Sequence, residues 1–146
     1  MTIDEAIKVI QETSKECKQE LRDCLNLALA TDISIPDYDK IKSRRVLYTK
    51  YADIVTLNNN IGCTLLSARK LLLTIRELKS VVVDSQSVNY NLAKTYKIKI
   101  DKEVESLNEL LSSLTEFKQS LDATLRFYSS LQYVLTTYKL GGDSYE

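Results

Sequence analysis

The sequence predicts an all-α fold: an elongated antiparallel bundle of three helices, with four as the alternative, built on a long helical hairpin. Three observations lead to this class. The 146 residues include only three glycines and one proline, too few turn residues for an all-β fold. Neither type occurs between Cys63 and Leu140. Apolar residues recur at three- and four-residue steps in three long segments, which is typical of amphipathic helices.

The first helix is predicted over residues 2–30. Thr2 and Glu5 have the spacing of a capping box at its start. Its apolar face is formed by Ile3, Ile7, Ile10, Ser14, Cys17, Leu21, Cys24 and Ala28. Residues 31–39 follow as a break, because they hold the only proline, Pro36, and the residue before a proline is disfavoured in a helix.

The second helix is predicted over residues 40–82, where apolar residues follow a seven-residue repeat. The segment LNNNIG at residues 57–62 is its weak point, since asparagine and glycine have poor helix propensity. We expect the helix to continue through this segment, with or without a kink, and Asn58 to lie in the apolar seam. A buried seam asparagine fixes the register of two helices.

The third helix is predicted over residues 88–140, with a start anywhere from Ser87 to Asp101. Asp84, Ser85 and Ser87 favour a reversal of the chain before it. A single rod would leave wide apolar faces in water, so the second and third helices are expected to pair in an antiparallel hairpin. Residues 1–140 then form one domain, and residues 141–146 are expected to be a short flexible tail that begins a linker.

The charge is balanced overall but unevenly distributed. Twenty basic residues match twenty acidic ones. Residues 40–99 nevertheless hold twelve basic residues against three acidic ones, an excess of nine positive charges. One interpretation is that a basic central helix pairs with acidic neighbours; the other is a basic surface for nucleic acid or anionic lipid. The cluster KIKSRR, residues 40–45, opposes the dipole at its helix start and suggests an acidic partner or a phosphate.

The residues for common catalytic chemistry are missing. The chain has no histidine and three cysteines, which removes Ser–His and Cys–His nucleophiles and ordinary zinc sites. We therefore expect a protein that is not an enzyme, with no catalytic, cofactor or metal site. Cys17, Cys24 and Cys63 lie on or near apolar stripes and are expected to be buried, reduced thiols. This indicates a reducing compartment: the cytoplasm, the nucleus or the cytosolic face of a membrane.

The predicted function is that of a non-enzymatic interaction module, a helical subunit or N-terminal domain of a larger assembly that docks partner helices. No apolar run is long enough to cross a membrane. Alternatives are binding of nucleic acid or an anionic membrane through residues 40–99, and a homodimeric coiled-coil scaffold. The residues expected to contact a partner are Lys40, Lys42, Arg44, Arg45, Leu57, Leu73 and Tyr133.

No family motif is present in these residues. By architecture alone, the predicted bundle is similar to the helical N-terminal regulatory domains of SNAREs and to coiled-coil subunits of tethering or kinetochore-type complexes. That resemblance implies an adaptor or scaffold role, such as vesicle tethering, within a longer protein.

Overall fold

The structure, a computed structural model, describes residues 2–34, 44–84 and 90–137. Within these ranges the chain forms three helices and no strand: α1 (Ile3–Ala30), α2 (Arg44–Val83) and α3 (Tyr90–Thr137). The predicted all-α class is confirmed. The three helix ends that can be compared, Ile3, Ala30 and Val83, lie within one residue of the predicted bounds. Residues 40–43, 88–89 and 138–140 of the predicted helices lie outside the described residues.

Helix α1 begins at the predicted capping box. The Thr2 side chain accepts a hydrogen bond from the Glu5 amide, and the Glu5 carboxylate accepts one from the Thr2 amide, both at 3.1 Å. Asp4 and Glu5 also place negative charge at the positive end of the helix dipole. At the other end, the Thr31 amide donates to the Ala28 carbonyl, where the backbone becomes extended.

Helix α2 passes through the asparagine-rich segment as one continuous helix. Ile61 is fully buried there, and Asn58 is half-buried in the seam with α3. The Asn58 side-chain amide donates to the Asp122 carboxylate at 3.2 Å. Apolar contacts on both sides of the segment therefore compensate for its weak helix propensity.

The three helices alternate in direction. Cys17 of α1 lies beside Ala68 of α2, and the thiol is 3.7 Å from the Ala68 carbonyl oxygen. Lys79 near the end of α2 pairs with Asp101 near the start of α3, so the predicted antiparallel hairpin is present. The reversal takes place between Val83 and Tyr90; of the predicted turn, residues 85–87 lie outside the described residues.

One apolar core runs through all three helices. Ten residues form the seven-residue repeat predicted for α2, and two of them, Tyr51 and Asn58, are half-buried. The other eight are buried: Leu47, Ile54, Ile61, Leu65, Ala68, Leu72, Ile75 and Val82. Among the described residues, the largest fully buried side chain is that of Tyr128. None of the described helices contains a segment long and apolar enough to cross a membrane.

Candidate partner-binding groove

A groove lies between the first half of α1 and the beginning of α3. Its floor is apolar: Ile7 and Ile10 come from α1, and Tyr96 and Ile100 come from α3. Ile10 and Ile100 are buried, whereas Ile7 and Tyr96 are half-buried. The groove encloses about 530 Å³, which is within the usual range for binding sites, about 300–1,000 Å³.

Lysines form the rim of this groove. Lys15 and Lys18 stand on α1, and Lys99 and Lys102 stand on α3, with Glu103 as the one acidic residue that lines it. Glu103 is already engaged, because it accepts a hydrogen bond from the Ser14 hydroxyl at 2.8 Å and lies 3.5 Å from the Lys18 ammonium. In the described parts of the chain, the other three lysines have no ion-pair partner. The groove is therefore apolar at its base and positive at its edge.

The spacing within each helix produces this arrangement. Lysines three residues apart lie on the same side of a helix, so each pair follows one edge of the groove. Long lysine stems can lie along apolar surface while the ammonium group stays in water. Because α1 and α3 run in the same direction and Ser14 meets Glu103, the two lysine pairs lie on opposite edges of the floor, offset along the groove by about five residues, or about 7 Å.

Sequence reasoning missed this site. From the sequence alone, Lys15 and Lys18 fall among mixed charges on the polar side of α1, and Lys99 belongs to the basic segment at residues 40–99. The signal available in the sequence is that each helix has two lysines three residues apart within about eight residues of an isoleucine: Lys15 and Lys18 with Ile10, and Lys99 and Lys102 with Ile100. It becomes informative only once α1 and α3 are known to be neighbours.

Most of the predicted basic cluster lies beyond what the structure describes. Lys40 and Lys42 are outside the described residues, as is the side chain of Arg44, whose backbone begins α2. Arg45 is exposed and lines a shallow depression together with Asp32 and Asp53. The hypothesis that this cluster contacts an acidic partner stays a prediction.

The expectation that Leu57 is a surface residue is wrong. Its side chain is only 3% exposed and belongs to the apolar core, because the buried face of α2 is wider at this turn than a strict seven-residue repeat predicts. Leu73 and Tyr133 do lie at the surface, 55% and 68% exposed. Whether they contact a partner stays a prediction.

The cysteines divide into two environments. Cys17 and Cys24 are buried as expected, whereas Cys63 is exposed, so its predicted burial is wrong. Burial raises the pKa of the Cys17 thiol to about 11, and the charges of Glu20 and Glu16 add to this effect. Cys63 lies on the side of α2 that faces away from α1 and α3, where the apolar stripe does not reach.

A polar cluster joins all three helices at the opposite end of the molecule from the groove. The Tyr128 hydroxyl of α3 donates to the Ser34 carbonyl at 2.7 Å. Asp32 accepts hydrogen bonds from the Ser34 amide at 2.9 Å and from Lys50 of α2 at 3.2 Å. Bonds from Ser34, together with Lys50, lower the pKa of Asp32 to about 2. Burial, with a smaller effect of the Asp32 charge, raises the pKa of Tyr128.

Among the described residues, no group of three or more cysteine, aspartate or glutamate side chains is placed to hold a metal ion. The carboxylates Glu103, Glu105 and Glu109 of α3 are exposed. Comparison with protein-family models, curated proteins and solved structures finds no match to this chain.

Proposed function

We propose that the protein is a non-enzymatic interaction module that docks an amphipathic partner helix, acidic along its edges, in the groove between α1 and α3. The observation that carries this proposal is the apolar floor of isoleucine and tyrosine between two lysine pairs. An apolar stripe on the partner would cover Ile7 and Tyr96, which the bundle leaves half-buried. Carboxylates beside that stripe would meet Lys15 and Lys99.

The geometry of two neighbouring helices favours a helix as the ligand. A partner helix lies along the groove between them and contributes side chains at steps of three, four and seven residues. The apolar contact supplies most of the affinity, while the lysines select the partner and its orientation. A basic partner helix would place like charges at the rim and be rejected.

A module of this kind fits an elongated three-helix bundle within a larger assembly. Helices of 40 and 48 residues are about 60 and 72 Å long, which supports an elongated shape. The proposal includes the predicted roles of adaptor, scaffold and assembly subunit, with tethering complexes and SNARE regulatory domains as alternatives. A fourth helix, supplied by the partner, would complete the bundle at the groove.

The test is a binding titration with two designed peptides. Each is a labelled 18-residue amphipathic helix with the same apolar stripe, flanked by glutamates in one peptide and by lysines in the other. We expect the acidic peptide to bind with micromolar affinity and the basic peptide not to bind. The double variant Lys15→Glu, Lys99→Glu should weaken binding of the acidic peptide by about tenfold or more.

A matched control separates the groove from general electrostatics. The double variant Arg69→Glu, Arg126→Glu changes the net charge by the same amount at two exposed residues that do not line the groove. It should bind the acidic peptide within about twofold of the parent protein, because screening limits the effect of distant charges. Equal losses in the two double variants, or equal binding of the two peptides, would contradict the proposal.

A second candidate function is supported by the start of α3. Ile98 is 48% exposed there, next to Lys94, Lys97, Lys99 and Lys102, the composition of a surface that binds anionic membranes. Vesicles with and without phosphatidylserine, and a single-stranded RNA, distinguish the candidates. Binding to either anion that declines steeply with salt, without binding of the acidic peptide, would favour this function over helix docking.

A further inference from the structure

Helix α2 carries a second apolar stripe, on the side that faces away from the core. Leu66, Leu73 and Val81 are 56%, 55% and 45% exposed on this face. Lys70 and Glu77 lie between them and are also exposed. We call these five residues the outer stripe. Successive steps of four, three, four and four residues keep all five within about a quarter of the helix circumference.

The outer stripe is separate from the groove and from the core. At the same level of α2, the core face is formed by Leu65, Leu72 and Ile75, which are buried on the opposite side of the helix. Lys70 and Glu77 make no ion pair within the part of the chain that the structure describes. Three exposed large apolar side chains therefore lie in line, with two opposite charges between them, on a face that the described part of the bundle leaves open to solvent.

The outer stripe is symmetric about its midpoint: apolar residues and charged residues lie at equal distances on both sides. Its midpoint falls between Leu73 and Thr74. Leu66 and Val81 are equally far from this point, about 11 Å, and Lys70 and Glu77 are also equally far, about 5 Å. An antiparallel copy therefore places an apolar residue opposite each outer apolar residue and a charge of opposite sign opposite each charged one.

We propose that the outer stripe binds a second copy of this chain, with the two α2 helices antiparallel about a twofold axis at Leu73. Leu73 then lies beside Leu73 of the second copy. Lys70 pairs with Glu77 of the second copy, and Leu66 contacts its Val81. A parallel pair would instead place Lys70 opposite Lys70 and Glu77 opposite Glu77, so these charges select the antiparallel arrangement.

Two arginines set a limit on the strength of this contact. Arg69 and Arg76 lie on one margin of the outer stripe, and antiparallel pairing brings Arg69 near Arg76 of the second copy. The contact spans only about four turns of one helix, so its area falls below the standard interface of about 1,200–2,000 Å². We therefore expect a weak dimer, which forms at tens to hundreds of micromolar protein.

Disulfide trapping tests the position of the twofold axis. In a Cys63→Ser background, which removes the exposed native thiol, Leu73→Cys should form a disulfide-linked dimer under mild oxidation, because the two sulfurs meet at the axis. Leu66→Cys is the matched control: it is equally exposed, but the two copies of residue 66 are about 22 Å apart. The control should stay monomeric, whereas Leu66→Cys combined with Val81→Cys should cross-link.

Charge reversal tests the pairing without cysteines. Lys70→Glu should weaken dimerisation by about tenfold in sedimentation equilibrium, and Lys70→Glu with Glu77→Lys should restore it, since attraction returns in the double variant. Equal cross-linking of the residue 66 and residue 73 variants, or a monomer at all concentrations, would overturn the proposal. Leu73→Glu should abolish the dimer and leave binding of the acidic peptide unchanged, so this inference and the proposed function fail independently.

Discussion

Tyr128 shows how a single residue ties the three helices together. Its ring is fully buried in the core beside Tyr51, with ring centres 6.4 Å apart. Its hydroxyl reaches the surface end of the core and donates to the Ser34 carbonyl. The residue thus combines apolar burial with a polar contact to the segment that follows α1, which is the usual advantage of tyrosine over phenylalanine.

We expect Tyr128→Phe to lower the free energy of unfolding by about 1 kcal/mol, because the ring stays buried while one hydrogen bond is lost. Water can still donate a hydrogen bond to the carbonyl of the exposed Ser34. The loss of stability is therefore smaller than for a buried carbonyl left without a hydrogen-bond donor. Urea unfolding followed by circular dichroism measures the difference. Tyr51→Phe is the control: its hydroxyl lies 3.5 Å from Ser129 at the exposed surface, so its effect should stay below about 0.3 kcal/mol. Equal effects of the two changes would contradict a structural role for the Ser34 bond.

Helix α2 depends on tertiary contacts at the element scale. Gly62 stands in the interior of this 40-residue helix, next to three asparagines, where glycine costs about 1 kcal/mol relative to alanine. A Cβ atom at residue 62 would lie 3.7 Å from the Lys118 side chain, an ordinary contact. Nothing in the surroundings of this residue therefore requires glycine.

We expect Gly62→Ala to raise the free energy of unfolding by about 1 kcal/mol, since alanine fits the available space and restricts the unfolded chain. Asn60→Ala, at an exposed residue of the same segment, should give a smaller gain of about 0.5 kcal/mol. The unfolding midpoint in urea measures both changes. A loss of stability in Gly62→Ala would show that the helix is not regular at this residue in solution.

At the scale of the whole molecule, the cluster of Asp32, Ser34 and Lys50 makes the stability of the folded bundle depend on pH in the acid range. Hydrogen bonds from Ser34, and then the contact with Lys50, lower the pKa of Asp32 from 3.8 to about 2 in the folded protein. The folded state therefore binds this proton less readily than the unfolded state. The resulting stabilisation is fully present above about pH 4 and is lost as the pH falls towards 2.

We expect an NMR titration to show that Ser34→Ala and Lys50→Met each move the pKa of Asp32 up towards 3.8. Both variants should also make the melting temperature less dependent on pH between 4 and 2. Lys8→Met, near the other end of α1, should leave both quantities unchanged, because it lies about 36 Å from Asp32. A parent protein in which Asp32 titrates near 3.8 would contradict this link.

Particular residues show what could be predicted from the sequence. The capping box at Thr2 was predictable because both partners lie within one turn of each other. The apolar repeats of α2 and α3 were predictable because helical periodicity alone places residues on a face. The burial of Leu57 and the exposure of Cys63 were not predictable. The width and direction of the buried face of α2 depend on how its two neighbouring helices pack against it. The groove could not be predicted either, because its two lysine pairs lie more than 80 positions apart in the sequence.

The sequence by itself determined the helices, their approximate ends and the reversal between α2 and α3. These features depend on local spacing and on the absence of glycine and proline from long segments. Only the tertiary structure decided that α1 lies parallel to α3, with Ser14 against Glu103. That neighbour relation follows from side chains packing across helices, which one-dimensional periodicity does not contain. It produces both the lysine-rimmed groove and the outer stripe left free on α2.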